Sequence, residues 1–320
     1  MTNGAPASAE GVKTFRQLTL ISPGRTVGAT KTAKFGRGDE VGAMNFVTPR
    51  KVAEAAGLVK AGRVYSLSHL LEDGMPMNWF HQDFLYSTYR SAPEMLEYFS
   101  RTFPNKNRIT FTNTRMDLSD HSGTHIDGLN HAAIGNRFYN GIDTRKVTTA
   151  RGTSRLGIET MPPLVSRGVL ADMTLQHSYS TRESISAGDL EAVLEEEGVA
   201  VARGDAFLIY TGWERHWKSD NKKYLESMPG IGAGAARWLA RQGVVTVGSD
   251  TQSVEVEPND DPAGDGLVHQ ILIVRNGVHL IENMKLSALA KAKAYQFLFV
   301  CLPLRIKGGT GSPVHPIAVT

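Results

Sequence analysis

Short apolar runs and helical patterns alternate along the second half of the chain. Each apolar run has the length of a buried strand and is closed by a turn or an acidic residue. Ser186 stands where a capping residue begins a helix, and Gly243 stands where a glycine ends one. Strands that alternate with single helices predict an α/β fold with some parallel pairing. The predicted strands are 167–173, 205–212 and 244–250, and the predicted helices follow Ser186 and occupy 232–242.

The first half of the chain has a less regular pattern. Thr48 followed by Pro49 is a typical helix start, and the apolar spacing after it predicts a helix from about 49 to 60. The segments 63–69 and 109–111 are rich in β-forming side chains. We therefore expect a strand in each of them.

No linker, repeat or charge block divides the chain. The first 15 residues are small and polar and show no periodicity, which is typical of a terminus without packing partners. We therefore expect a loose N-terminal arm at 1–34 and a single α/β domain at 35–320.

Composition excludes several classes of protein. The 35 basic residues are dispersed and the net charge is only +3, so we expect no nucleic-acid partner. No run of 18 apolar residues and no apolar N-terminal signal is present, so we expect a cytoplasmic protein without a membrane span. Cys301 is the single cysteine, which excludes an internal disulfide and a cysteine-rich zinc site, and its apolar neighbours predict a buried strand.

Histidine and aspartate are concentrated in the segment DHSGTHIDGLNH. It holds three of the ten histidines of the chain, His121, His125 and His131. Asp127 follows His125 by two residues, so on an extended backbone both side chains leave the same face, and Gly123 permits the bend that brings His121 inward. Imidazole nitrogen and carboxylate oxygen suit Zn²⁺ or Mn²⁺. The spacing therefore predicts a catalytic metal site made of His121, His125 and Asp127.

His131 lies six residues beyond His125, after a Gly-Leu-Asn turn. The residue pattern leaves two roles open. His131 is either a further metal ligand or an uncoordinated general acid and base.

The segment HSGTHIDGLNH resembles the H-x-G-T-H-x-D-x-P-x-H signature of the Putative cyclase family, which includes bacterial kynurenine formamidase and isatin hydrolase. The one fixed position that differs is Leu129, where the signature has proline. The Thr48-Pro49 helix start and the stretches FGRGDE, GDAFLIYTGW, VGSDTQS and LPLRIKGGTGSP are also similar to longer members. The resemblance covers most of the chain from about residue 35.

This resemblance implies further properties of the chain. It implies an α/β fold of the swivelling β/β/α type, a homodimer or homotetramer, and one or two Zn²⁺ or Mn²⁺ ions per chain. It also implies that Asp127 bridges to a second ion held by His269 and Glu282. The aromatic residues after the turn at 73–76 would line the substrate pocket, although ordinary core packing is an alternative for them. These aromatic residues are Trp79, Phe80 and Phe84.

The chemistry implied is hydrolysis of a small molecule by metal-activated water. Thr124 and the backbone N–H groups of the Gly123 turn are candidate donors to the charged intermediate, and His131 is the candidate proton donor to the leaving group. We expect a C–N or C–O acyl bond to be cleaved, in a cyclic amide, a lactone or a formamide. The alternatives are cyclisation or dehydration of a polyketide-like intermediate and a non-catalytic ligand-binding protein. The other histidines are expected to be structural: His69, His81, His177, His216, His279 and His315.

Overall fold

A mixed nine-stranded sheet forms the centre of the fold. The computed structural model describes residues 34–79, 81–258, 261 and 264–320, and all of these belong to one compact unit, Thr32–Thr320. The strands are β1 (Val64–Ser66), β2 (Leu85–Arg90), β3 (Asn113–Asp117), β4 (His125–Asp127), β5 (Thr148–Thr149), β6 (Gly152–Thr153), β7 (Leu164–Asp172), β8 (Ser184–Ile185), β9 (Ala206–Tyr210), β10 (Gly230–Ile231), β11 (Thr246–Ser249), β12 (His279–Glu282), β13 (Gln296–Cys301), β14 (Gly311–Pro313) and β15 (Ile317–Val319).

The helices surround this sheet and are mostly short. They are α1 (Pro49–Ala56), α2 (Ala92–Thr102), α3 (Thr144–Val147), α4 (Ala187–Glu197), α5 (Asn221–Glu226), α6 (Ala233–Gln242), α7 (Leu267–His269) and α8 (Ser287–Lys291). No helix in the part of the chain that the structure describes is long and apolar enough to cross a membrane.

The strand order in the large sheet is β1-β15-β13-β7-β9-β11-β12-β4-β14. Strands β7, β9, β11 and β12 pair in parallel, and the flanking pairs are antiparallel. The parallel strands β7, β9 and β11 are almost continuously buried, as expected when both faces of a sheet are covered. The α/β prediction is confirmed, and Cys301 is buried at the end of β13.

The predicted elements of the second half lie where the pattern places them. The three predicted strands are β7, β9 and β11. The side chain of Ser186 accepts the backbone N–H of Asp189 at the start of α4, and Gly243 ends α6 in the left-handed conformation. The predicted N-terminal arm lies outside the described residues apart from Lys34, so its boundary stays a prediction.

Two predictions for the first half need correction. Helix α1 ends at Ala56 rather than near residue 60, because Gly57 has a low helix propensity. After it the backbone forms i→i+3 hydrogen bonds, such as the one from Leu58 N–H to the Ala55 carbonyl. The expected strand at 109–111 is wrong. That segment packs instead against α2, where the rings of Phe111 and Phe99 lie 6.2 Å apart between centroids. The actual strand, β3, has the polar sequence NTRMD and is held by antiparallel pairing with β2.

Candidate metal centre

Strand β4 places two side chains of the histidine cluster on one face, as the spacing predicts. His125 and Asp127 face the site, and Ile126 between them is fully buried in the core. In the antiparallel register of β4 and β12, His125 lies opposite Glu282, so a residue far along the sequence arrives beside the cluster. The sheet itself therefore brings together the proximal and distal halves of the predicted site.

Asp127 lies between two groups of donor atoms. Its Oδ1 is 3.0 Å from Nδ1 of His121 and 3.7 Å from Nε2 of His125. Its Oδ2 is 3.8 Å from Nε2 of His269, and that nitrogen is 3.4 Å from Oε1 of Glu282. Glu282 contacts the first group of donor atoms as well, because its Oε2 is 3.3 Å from Nε2 of His125. One oxygen of the Asp127 carboxylate thus faces His121 and His125, and the other faces His269.

Two donor sets have atoms close enough together to hold one cation each. The first set is His121, Asp127 and His131, and the second is Asp127, His269 and Glu282. Among the described residues, Nδ1 of His121, both carboxylate oxygens of Asp127 and Oε1 of Glu282 are buried and find no partner with hydrogen-bond geometry. Buried polar atoms without partners are costly, and a cation at their centre would satisfy them. These residues therefore fit a divalent metal.

The histidines of the cluster are oriented through their outer nitrogens. Nδ1 of His125 lies 2.9 Å from the Gly123 carbonyl, and Nε2 of His121 lies 3.0 Å from the Thr310 hydroxyl. Nδ1 of His269 lies 2.5 Å from a carboxylate oxygen of Glu255. In each ring the other nitrogen faces the centre. This is the arrangement by which proteins fix the orientation of metal-ligating histidines.

Burial and charge act in opposite directions on the cluster. Burial alone would raise the pKa of Asp127, yet His131, His121 and His125 hold that pKa far below its usual range. Burial lowers the pKa of His131 to about 4, although the Asp127 carboxylate opposes the shift. Burial would lower the pKa of His125 and of His269, yet hydrogen bonds to Glu282 and to Glu255 raise them, so a metal that binds these two imidazoles would displace protons.

The Thr124 hydroxyl is buried and fully engaged. It donates to the Asn283 carbonyl at 2.5 Å and accepts the His69 backbone N–H at 3.0 Å. The side chain of Asn283 donates to the Gly123 carbonyl at 2.9 Å, so this network fixes the turn before β4. The geometry favours a positioning role for Thr124 over direct contact with substrate.

A cavity of about 440 Å³ opens beside the donor cluster. His121, His131, His269 and Glu282 lie on its wall, and Trp79 lies at its rim with 92% of its surface exposed. The alternative that Trp79 packs in the core is therefore wrong. Phe84 stacks on Tyr86 and is absent from the described cavity wall. The prediction for Phe80 lies outside the described residues.

Sequence reasoning missed three titratable residues of this cavity wall. His81, which we expected to be structural, lies on the cavity wall with its ring stacked on His121 at 5.2 Å between centroids. Glu255 and Glu257 lie on another part of the wall. The available signal was the alternation SVEVE at 253–257, in which the valines are buried in the core.

Leu129, at the position where the signature has proline, is buried. The turn that follows β4 is closed by the His131 N–H, which donates to the Gly128 carbonyl at 3.1 Å. Leucine at this position therefore coexists with a His131 side chain that faces the cavity.

Comparison with known proteins gives a family match and several structural neighbours. The family described as Putative cyclase matches residues 65–256, which include β4 and His131 and end before His269. A kynurenine formamidase from Bacillus cereus is 28% identical over 203 residues, covering 63% of this chain and 78% of that protein. A crystal structure of a novel cyclase is 27% identical, with a TM-score of 0.82 over 90% of this chain and 98% of that chain. Isatin hydrolase A from Labrenzia aggregata, bound to benzyl benzoate, is 19% identical and shares the fold, with a TM-score of 0.62 over 83% of this chain and 96% of that chain.

Proposed function

The chain belongs to the Putative cyclase family, and on this premise we propose that it is a metal-dependent hydrolase of a small molecule. The bond cleaved is a C–N or C–O acyl bond, in a cyclic amide, a lactone or a formamide. The observation that carries the proposal is the buried Asp127 carboxylate, whose two unpartnered oxygens face two donor sets beside an open cavity. The kynurenine formamidase relative supports an acyl-bond hydrolase.

The proposed ligands of the first ion follow the sequence pattern, with His125 in place of the His131 that lies with His121 and Asp127 in the first donor set. His121, His125 and Asp127 would hold the first ion, and Asp127 with His269 and Glu282 would hold the second. Mixed imidazole and carboxylate donors suit Zn²⁺ or Mn²⁺. When bound, such an ion supplies a polarised substrate carbonyl and a water molecule of lowered pKa.

His131 is the proposed general base and acid. Its ring lies 4.1 Å from that of His121 and 6.0 Å from that of His269 between centroids, at the cavity wall. Its imidazole would take a proton from the attacking water and deliver it to the leaving nitrogen or oxygen. Thr124 would act by positioning the backbone. Its hydroxyl donates to the carbonyl of Asn283, directly after Glu282, and Thr124 itself directly precedes His125, so the hydrogen bond holds these two side chains near each other.

A panel of small lactones, cyclic imides and N-formyl aromatic amines tests the proposed reaction. We expect at least one of these classes to give a product heavier than its substrate by one water molecule, as mass spectrometry would show. Turnover with loss of water, or ring closure without gain of water, would contradict hydrolysis and favour the dehydratase and cyclase chemistries.

Replacing Trp79 by alanine is expected to raise KM by roughly two- to tenfold, because an aromatic stacking contact contributes about 0.5–1.5 kcal/mol. The melting temperature should stay near the wild-type value, since the side chain is 92% exposed. Steady-state kinetics and thermal unfolding measure both effects. Phe84→Ala is the matched variant and should change KM less. A loss of stability with unchanged KM would show that Trp79 has no contact with substrate.

We propose a homodimer or homotetramer, located in the cytoplasm. The segment 85–117, which contains β2, α2 and β3, supports assembly, because large apolar side chains along it are about half exposed: Leu85, Tyr86, Tyr89, Tyr98, Phe103, Ile109, Phe111 and Met116. Light scattering on the purified protein should give twice or four times the chain mass. A monomer at micromolar concentration would contradict the proposal.

A further inference from the structure

Glu255 is a buried carboxylate on the wall of the metal centre that the proposed ligand sets leave unused. It lies on the extended segment 253–257, where Val254 and Val256 are buried in the core and the alternate side chains line the cavity. A backbone bridge to Ile231 holds this segment in place. The Glu255 side chain is therefore rigidly presented to the site.

The two oxygens of Glu255 have different partners. Oε2 accepts the backbone N–H groups of Gly266 at 3.0 Å and Val268 at 3.4 Å, which are the free amides at the start of α7. Oε1 lies 2.5 Å from Nδ1 of His269, at the end of the same helix. One carboxylate thus fixes both the backbone of the turn and the imidazole that the turn carries.

This bond determines which His269 nitrogen faces the centre. When Nδ1 donates its proton to Glu255, Nε2 is left with a lone pair. That Nε2 is the atom directed at Oδ2 of Asp127 and Oε1 of Glu282. The outer nitrogen of His121 lies 3.0 Å from the Thr310 hydroxyl and 3.6 Å from Oδ1 of Asp120, and that of His125 faces a backbone carbonyl. The outer nitrogen of His269 is the one of these three that has a carboxylate at hydrogen-bond distance.

We propose that Glu255 is a positioning residue that fixes the tautomer and orientation of His269 and thereby sets the affinity of the second metal ion. The inference rests on the proposed function only in that the centre holds metal. Loss of such an outer partner weakens metal binding by roughly 10- to 100-fold in general. Because His121 and His125 do not contact Glu255, the effect is confined to one of two ions.

The test compares Glu255→Gln with Glu257→Gln, the same chemical change two residues along the same cavity wall. Purified proteins are dialysed against graded concentrations of a chelator, and Zn²⁺ and Mn²⁺ per chain are measured by elemental analysis. We expect wild type and Glu257→Gln to retain two equivalents with similar affinity. Glu255→Gln should retain one equivalent normally and bind the second roughly 10- to 100-fold more weakly. Thermal unfolding of the chelated proteins checks that both variants fold.

A measurement on the wild-type protein does not depend on how any variant folds. In the Zn²⁺-loaded protein, ¹⁵N NMR of the imidazoles should show His269 protonated at Nδ1 and metal-bound at Nε2, with the signal assigned by through-bond correlation to the His269 backbone. The opposite tautomer would overturn the inference.

Other outcomes separate this inference from the proposed function. Two equivalents of unchanged affinity in Glu255→Gln, or a single equivalent in wild type, would overturn the role of Glu255 and leave a metal-dependent hydrolase standing. Absence of metal from reconstituted wild type would overturn both.

Discussion

Asp127→Asn is expected to abolish activity and to remove metal from both donor sets. The Asp127 carboxylate is fully buried, and its two oxygens face His121 and His125 on one side and His269 on the other. Asparagine keeps the size of the side chain, removes the charge and turns an N–H₂ donor toward one of these imidazoles. A bound metal contributes several kcal/mol to the transition state. Because about 1.4 kcal/mol corresponds to tenfold, kcat/KM should fall on the order of 10³-fold or more.

Elemental analysis and steady-state kinetics of the same preparation measure this effect. Asp172→Asn is the control, because Asp172 is also buried but accepts from Thr174 away from the cavity. The control variant should lose some stability and keep its metal. Wild-type activity in metal-free Asp127→Asn would show that the cluster is not the active site.

His131→Ala is expected to lower kcat by roughly 10²- to 10⁴-fold while leaving metal content unchanged, as loss of a general acid and base does. The outcome is informative because geometry places His131 in one donor set with His121 and Asp127. A full metal complement with slow turnover supports the proton-transfer role. Loss of metal together with activity would instead make His131 a ligand.

His81→Ala is the matched variant for this experiment. Its ring also contacts the ring of His121, so its removal disturbs the packing around the same neighbour. We expect a smaller loss of kcat than in His131→Ala. Equal losses in the two variants would point to disturbed packing rather than to proton transfer.

The sequence could predict the part of the site that follows from local periodicity. Alternation along His125, Ile126 and Asp127 determines which side chains share a face, whatever the rest of the fold does. The proposed distal ligands, His269 and Glu282, have no such local pattern, and the sequence implies them only through the family resemblance. The structure shows why Glu282 lies beside the histidine cluster: β12 pairs with β4 in a register that places Glu282 opposite His125.

Residues whose roles depend on the packing of distant segments could not be predicted. The Thr124 hydroxyl is a plausible donor to substrate in the sequence, and only the folded chain shows it bound to Asn283 and His69. Glu255 becomes a partner of His269 because the 253–257 segment crosses beside α7. The polar strand β3 was missed because its stability comes from pairing with β2 rather than from its own composition.

The central claim is that the chain holds a metal centre at this cluster. Its most direct test is the number of metal ions per chain in the purified, reconstituted wild-type protein and, in parallel, in the His125→Ala variant. His125 is buried against both Asp127 and Glu282, so its removal should disrupt the centre without exposing the core. The account predicts about two equivalents of Zn²⁺ or Mn²⁺ in wild type and a clear loss in the variant. A wild-type protein that hydrolyses its substrate at full rate without bound metal would contradict it.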